Sequence, residues 1–271
     1  MSDAAWTRFS PAELATAIVG REVRFFASVG STNDLLKDAA RAGAAEGLVF
    51  VADEQIAGRG RRGRSWTAPP GSSLLSSILL RPTWLPAADA FLITMLIAVA
   101  AAEAIERCTE LRVGLKWPND LQIGPRKLGG ILVESELSDA AVNWIVIGCG
   151  INVNWEPRTI PELADRASSL SAELGRPIDR RELLRALLSR LDARYLDLRR
   201  GARSALLHDW RERLITLGQP VSAETPQGQL LGVAIDVTPE GALVLRDQHG
   251  QQHLISAGDV TIRPRSGAEP S

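Results

Sequence analysis

Cysteine is scarce in this chain: Cys108 and Cys149 are the only two among 271 residues. They stand far apart and without metal-ligand spacing, which argues against both a disulfide framework and a structural zinc site. Histidine is almost as rare, with 3 residues. His249 and His253 flank a predicted turn and His208 falls in a predicted helix, so no Ser-His-Asp or metal-binding constellation emerges. An excess of one charge is missing too. The 31 basic residues meet 32 acidic ones for a net charge of −1, so no overall positive field draws nucleic acid or an anionic membrane. The N-terminal MSDAAWTRFS lacks the basic-then-apolar pattern of a signal peptide. The uncharged, mostly hydrophobic stretch Ala90–Ala102 is shorter than the roughly 20 residues that a bilayer demands. A cytoplasmic protein with no membrane contact is the expectation.

What is present is ordinary: 45% hydrophobic and 23% charged residues, with enough chain for one large domain and a small appendage. Ser10-Pro11-Ala12-Glu13 reads as a capping box with proline at the first helical position, predicting a helix over 11–19 that stops at Gly20. Hydrophobic periodicity predicts strands at 22–29, 47–52, 74–80, 112–116, 120–123, 127–136 and 143–148. It predicts helices at 33–42, 86–107, 168–174, 179–199 and 203–216. From Pro220 the texture changes. Short strands at 229–237, 241–247 and 251–256 alternate with turns at Pro239-Glu240-Gly241 and His249-Gly250, the pattern of a small β-barrel. The predicted organisation is a domain over 1–218, a β domain over 219–265 and a polar, frayed end at 266–271.

The most unusual segment is Gly58-Arg59-Gly60-Arg61-Arg62-Gly63-Arg64-Ser65. Glycine lets a backbone approach a ligand closely, while the arginine fork grips carboxylates and phosphates. Composition alone leaves three readings open: a solvated basic loop, a nucleic-acid contact, and a site for an anionic small molecule. The neutral overall charge weighs against the second. The spacing Gly58-x4-Gly63-Arg64-Ser65 imitates a phosphate-binding P-loop, but such a loop must open a helix. The following Trp66-Thr67-Ala68-Pro69-Pro70-Gly71 cannot begin one.

Three further anchors follow. Lys116-Trp117-Pro118-Asn119-Asp120 gathers a cation, an aromatic ring, a stiff proline step that favours extended backbone at Trp117, and two turn-forming polar residues. Lys127-Leu128-Gly129-Gly130-Ile131-Leu132-Val133-Glu134 opens an apolar strand with an ammonium beside two glycines. Ile145–Asn152 ends a buried strand in Gly148, Gly150 and Asn152; Cys149 within it reads as a small buried hydrophobe. Each has a plain alternative, respectively a decorated turn, a surface lysine at a strand end, and close strand packing.

Taken in order with Ser31-Thr32-Asn33 and Gln55, these segments resemble the biotin–protein ligases, and the resemblance covers nearly the whole chain. It implies an α+β fold: a mixed β-sheet catalytic domain flanked by helices, of the class II synthetase-like biotin/lipoate ligase type, with a small C-terminal SH3-like β-barrel. It also implies a two-step reaction with ATP and biotin as substrates and Mg²⁺ as cofactor. Biotin is activated as biotinyl-5′-AMP and then passed to a lysine on the biotin-carboxyl-carrier domain of acetyl-CoA carboxylase or a related carboxylase. Only 30 residues precede Ser31, too few for the DNA-binding winged helix of some relatives, so no DNA partner is expected. A homodimer is compatible with the resemblance.

By the same resemblance, Lys127 and Arg61 are the catalytic residues. Lys127 sits between the biotin carboxylate and the α-phosphate, and Arg61 orders the glycine-rich loop over the water-labile adenylate. Ser31, Thr32, Asn33, Gln55, Arg59, Gly60, Arg61, Lys127, Gly130 and Gly148 line the biotin pocket. Arg64, Trp66, Lys116, Asn119 and Asn152 face the nucleotide. Mg²⁺ is expected through phosphates and water, without a protein metal site. Rival readings are a lipoate–protein ligase, a non-catalytic biotin or nucleotide sensor, and an arginine-glycine RNA-binding module.

Overall fold

A computed structural model describes residues 11–138, 141–225, 228–256 and 258–263. The capping residue Ser10 and the end at 266–271 lie outside the described residues. The first strands, β1 (Glu22–Val29) and β2 (Leu48–Gln55), run parallel, joined through α2 (Thr32–Arg41). Then come β3 (Ser73–Leu80), β4 (Gly114–Lys116), β5 (Asp120–Ile123), β6 (Arg126–Leu137) and β7 (Val142–Asn152). The seven strands form one mixed sheet in the order β1-β2-β3-β7-β6-β5-β4, antiparallel beyond β2.

Strand β3 is buried at every position, because both faces of the sheet centre are covered. On one face, Leu36 and Ala40 of α2 pack with Phe50, Leu79, Trp144 and Val146. On the other lie α3 (Phe91–Thr109), α5 (Arg180–Arg199) and α6 (Arg203–Arg213). Helix α3 is apolar around its whole circumference from Phe91 to Ala102, as a helix enclosed by protein must be, and carries charges only at Glu103, Glu106 and Arg107 in its last turns. With the short turn at Ala87–Asp89 it is, among the described residues, long and apolar enough to cross a membrane. That corrects the reading based on Ala90–Ala102, which left out the apolar residues beyond Glu103. Its most apolar window is nevertheless 72% buried within the fold.

The first helix departs from expectation. It covers only Pro11–Leu14 rather than 11–19. Ala15 adopts φ 50, and the backbone N–H groups of Ala17, Ile18 and Val19 turn away to donate to the buried carboxylate of Asp192 on α5 (all 2.8 Å). A remote carboxylate thus takes donors that helix continuation would have used. Beyond α4 (Leu170–Leu174), whose start is capped by Ser169, the C-terminal segment forms a five-stranded antiparallel sheet. Its strands are β8 (Pro220–Thr225), β9 (Gly228–Val237), β10 (Leu243–Arg246), β11 (Gln252–Ile255) and β12 (Val260–Ile262), in the order β11-β10-β9-β8-β12. Three of the five match predicted strands. β8 opens on a proline and β12 has three residues, so neither carries a periodic signal.

Candidate active site

The carboxyl end of β2, the start of α2 and the adjoining ends of β6 and β7 surround a cleft of about 760 Å³, roofed by the glycine–arginine loop. Every site residue expected from the sequence lines it. Ser31, Thr32 and Asn33 enter from the start of α2, and Gln55 from the end of β2. Arg59, Gly60, Arg61, Arg64 and Trp66 come from the loop. Lys116 and Asn119 flank the turn between β4 and β5, while Lys127, Gly130, Gly148 and Asn152 come from β6 and β7.

One end is a connected polar network. Thr32 donates to Gln55 Oε1 through both its backbone N–H (2.8 Å) and its hydroxyl (3.0 Å). Asn33 Nδ2 donates to Glu134 Oε2 (2.9 Å) and to the carbonyl of Leu132 (3.3 Å). Ser77 Oγ lies 2.6 Å from Asn33 Oδ1 and 2.7 Å from Thr32 Oγ1. The Asn33 amide sits so close to β7 that a Cβ at Gly148 would come within 2.5 Å of Oδ1, so the strand must be bare there. Glu134 also accepts from Lys37 Nζ (2.8 Å) and Arg59 Nη2 (2.8 Å). Burial alone would raise the Glu134 carboxyl, but hydrogen bonds from Lys37, Asn33 and Arg59 outweigh it and hold the group below the ordinary carboxylate range.

The other end is cationic. Lys127 Nζ contacts Asp120 Oδ1 at 2.6 Å and lies 5.8 Å from the centre of the Trp66 ring. That indole lies against β6 and β7, where a Cβ at Gly150 would approach its ring within 2.9 Å. Its Nε1 is buried without a partner, a donor left for a ligand. Burial draws the Lys116 ammonium below its ordinary value, with Lys127 and Arg64 adding repulsion against the pull of Asp120 and Asp259. Burial likewise lowers Arg61, against the attraction of Asp259. The peptide joining Trp117 to Pro118 is cis.

The loop is a small hairpin, closed by Trp66 N–H to the Gly58 carbonyl (2.9 Å) and Gly60 N–H to the Arg64 carbonyl (2.6 Å). At its tip, Arg64 pairs with Asp259 (2.9 Å), Arg62 with Glu224 (3.4 Å), and Arg61 reaches Asn119 (3.3 Å). An anionic small-molecule site fits this placement better than a solvated loop, because Arg59, Arg61 and Arg64 all line the cleft.

Comparison with known proteins follows the same order of segments. Residues 25–152 match the Biotin/lipoate A/B protein ligase family, and residues 216–263 match the Biotin protein ligase C terminal domain. The chain is 35% identical over 245 residues to the biotin--[acetyl-CoA-carboxylase] ligase of Mycobacterium tuberculosis, covering 89% of this chain and 88% of that protein. The chain belongs to the biotin–protein ligase family. It is also 34% identical over 245 residues to the bifunctional ligase/repressor BirA of Bacillus subtilis, covering 90% of this chain and 75% of that protein. Among solved structures, the biotin protein ligase from Aquifex aeolicus in complex with biotin and ATP superimposes with a TM-score of 0.77 at 27% identity. It covers 90% of this chain and 100% of that one.

Within this ligase fold the cleft also holds residues that sequence reading did not assign. Asp120 stood inside a recognised segment without a role, as did Glu134, which lies behind the lining and accepts from Asn33. Trp155, Ile160 and Leu163 form an apolar wall between β7 and α4, and Asp259, Val260 and Thr261 reach in from the C-terminal sheet. A tryptophan in a proline-bounded loop was the one available signal for the former group; the latter carries none. Cys149 is buried, and burial pushes its thiol up to about 12, as suits a small apolar residue rather than a nucleophile.

Proposed function

We propose that the chain is an ATP-dependent biotin–protein ligase acting on the biotin-carrier domain of a carboxylase. The observation that supports it most is the single cleft uniting the Ser31–Asn33 polar network, the arginine hairpin and Lys127 in a member of this family. In the first step a biotin carboxylate oxygen forms a bond to the α-phosphorus of ATP, and the bond to the β-phosphate oxygen breaks, releasing pyrophosphate. In the second, a carrier lysine amine attacks the acyl carbon, losing a proton as the amide forms and AMP leaves. Two anions must meet in the first step, and fixed cations remove their repulsion. Lys127 takes that role between them. Ser31, Thr32, Asn33, Gln55, Arg59, Gly60, Gly130 and Gly148 hold biotin; Arg64, Trp66, Lys116, Asn119 and Asn152 hold the nucleotide; Arg61 closes the hairpin over the adenylate.

Among the described residues no group of three or more His, Cys, Asp or Glu could hold a metal, and Asp120 and Asp259 are each already paired with a cation. That donor set fits Mg²⁺ carried in on phosphate oxygens and water, where it would neutralise phosphate charge. We place the domain division at 218/219 and the enzyme in the cytoplasm, where ATP is at hand.

Pyrophosphate release from ATP, compared with biotin, lipoate and no acid, tests the assignment. Release with biotin alone is expected. Release with lipoate alone would move the chain to the sister activity, and tight biotin binding without release would make it a sensor.

A further inference from the structure

The polar end of the cleft has a fixed polarity that its hydrogen bonds impose. An amide side chain offers two donors at nitrogen and two acceptor positions at oxygen. In Gln55 the oxygen already accepts twice from Thr32, so what remains to offer a ligand is Nε2. In Asn33 both amide protons are spent, on Glu134 Oε2 and the Leu132 carbonyl, so what remains is the acceptor position of Oδ1 that Ser77 Oγ (2.6 Å) does not occupy. The pair therefore presents one donor and one acceptor. A cyclic urea, with a carbonyl beside N–H groups, complements that pair; a dithiolane ring, having neither, leaves both unsatisfied. A buried polar group deprived of its partner discriminates far more strongly than a missing methylene does.

We infer that Glu134 is a specificity-determining positioning residue: its carboxylate holds the Asn33 amide with oxygen toward the ligand, so that the pocket selects a urea-bearing acid. This rests on the proposed reading of the site. Glu134 makes no claim on substrate itself. It accepts from Asn33, from Lys37 on α2 (2.8 Å) and from Arg59 of the hairpin (2.8 Å), and an ionised carboxylate can only accept. The two cations keep it ionised, so the nitrogen of Asn33 must face it. A neutral amide at position 134 can donate to an inverted Asn33 as readily as accept from an upright one, which leaves only the longer contact to the Leu132 carbonyl (3.3 Å) to orient the Asn33 amide.

The experiment measures binding of biotin and desthiobiotin, which keeps the cyclic urea but lacks the thioether, by calorimetry on the full chain without ATP. Steady-state KM for ATP is measured in parallel. Glu134→Gln is expected to weaken both acids by about tenfold or more, as loss of a hydrogen bond to a charged group does, while KM for ATP moves by less than about twofold. Asn33→Asp alone sets two carboxylates face to face and should also lose both acids. The double variant Asn33→Asp with Glu134→Gln reverses the donor and acceptor between the two positions while keeping an oxygen toward the ligand; the longer contact to the Leu132 carbonyl (3.3 Å) is not restored, so affinity should rise clearly above that of Asn33→Asp without reaching the parent's. That recovery separates positioning from a general loss of fold, which no second substitution would restore. Equal biotin affinity in the parent and Glu134→Gln would overturn the inference while leaving the ligase reading intact, as would failure of the double variant to improve on Asn33→Asp. A parent that binds neither acid would sink both together.

Discussion

Lys127 reaches the cleft already paired with Asp120 at 2.6 Å and over a third exposed, so its charge is held in place but available to an incoming anion. Electrostatic stabilisers of this type contribute mainly where charge crowds in the transition state. Lys127→Ala should therefore cut biotin-dependent pyrophosphate release by at least about 100-fold. Its thermal midpoint should stay near the parent's, since a partly exposed pair contributes little to stability. Rate and melting curve measured on the same preparation check this; release at the parent's rate would remove Lys127 from the chemistry. At this scale the sequence was legible wherever the participants share a short segment. Lys127, Gly130 and Glu134 lie on one strand, and Ser31, Thr32 and Asn33 on one helix start. Asp259, alone among turn residues and brought in by tertiary packing, left no pattern to read.

Among the elements, the glycine–arginine hairpin rests on partners outside itself. Arg62 (φ 54) and Gly63 (φ 73) take left-handed backbone at its tip, and the tip arginines meet Asp259 and Glu224 from the C-terminal sheet. Asp259 alone faces Arg64 at 2.9 Å, Arg62 at 3.8 Å and Arg61 at 4.0 Å. Removing that charge leaves three guanidiniums repelling one another, and the hairpin should open more often. Asp259→Asn is thus expected to raise the rate of tryptic cleavage after these arginines several-fold without ligand, on the scale of a small ion-pair network. A cleavage rate equal to the parent's would show that the hairpin's own backbone bonds suffice. Other elements were legible in proportion to their periodicity. β1 and β5 fall where the alternation of side chains places them, whereas α1 ends early because Asp192, some 170 residues on, captures three of its would-be donors. No local pattern carries such information.

The two sheets behave as one body because they share one core. Val221, Ala223, Leu243 and Leu245 of the C-terminal sheet belong to the same cluster of buried residues as α3 and α5. Trp117, in the turn between β4 and β5, is 1% exposed and donates through Nε1 to the Gly241 carbonyl at 2.9 Å. Gly241 is the tightest point of the seam: it holds φ 89, and a Cβ there would stand 2.1 Å from the ring of Phe91 and 2.7 Å from Met95. Since Asp259, Val260 and Thr261 complete the cleft from the far side of this seam, the integrity of the joint governs the nucleotide end of the site. The Thr32, Asn33 and Gln55 network at the biotin end, by contrast, is built on the larger sheet and α2. Gly241→Ala combines overpacking with a strained backbone and should cost about 1–3 kcal/mol or more. For a chain of this size that lowers the melting temperature by roughly 2–12 °C. It should also raise KM for ATP while leaving biotin affinity close to that of the parent. Calorimetry decides the premise: a shared core requires a single cooperative transition in the parent, and two separate transitions would show that the sheets unfold independently and that Gly241 is not the joint through which the C-terminal sheet acts on the cleft.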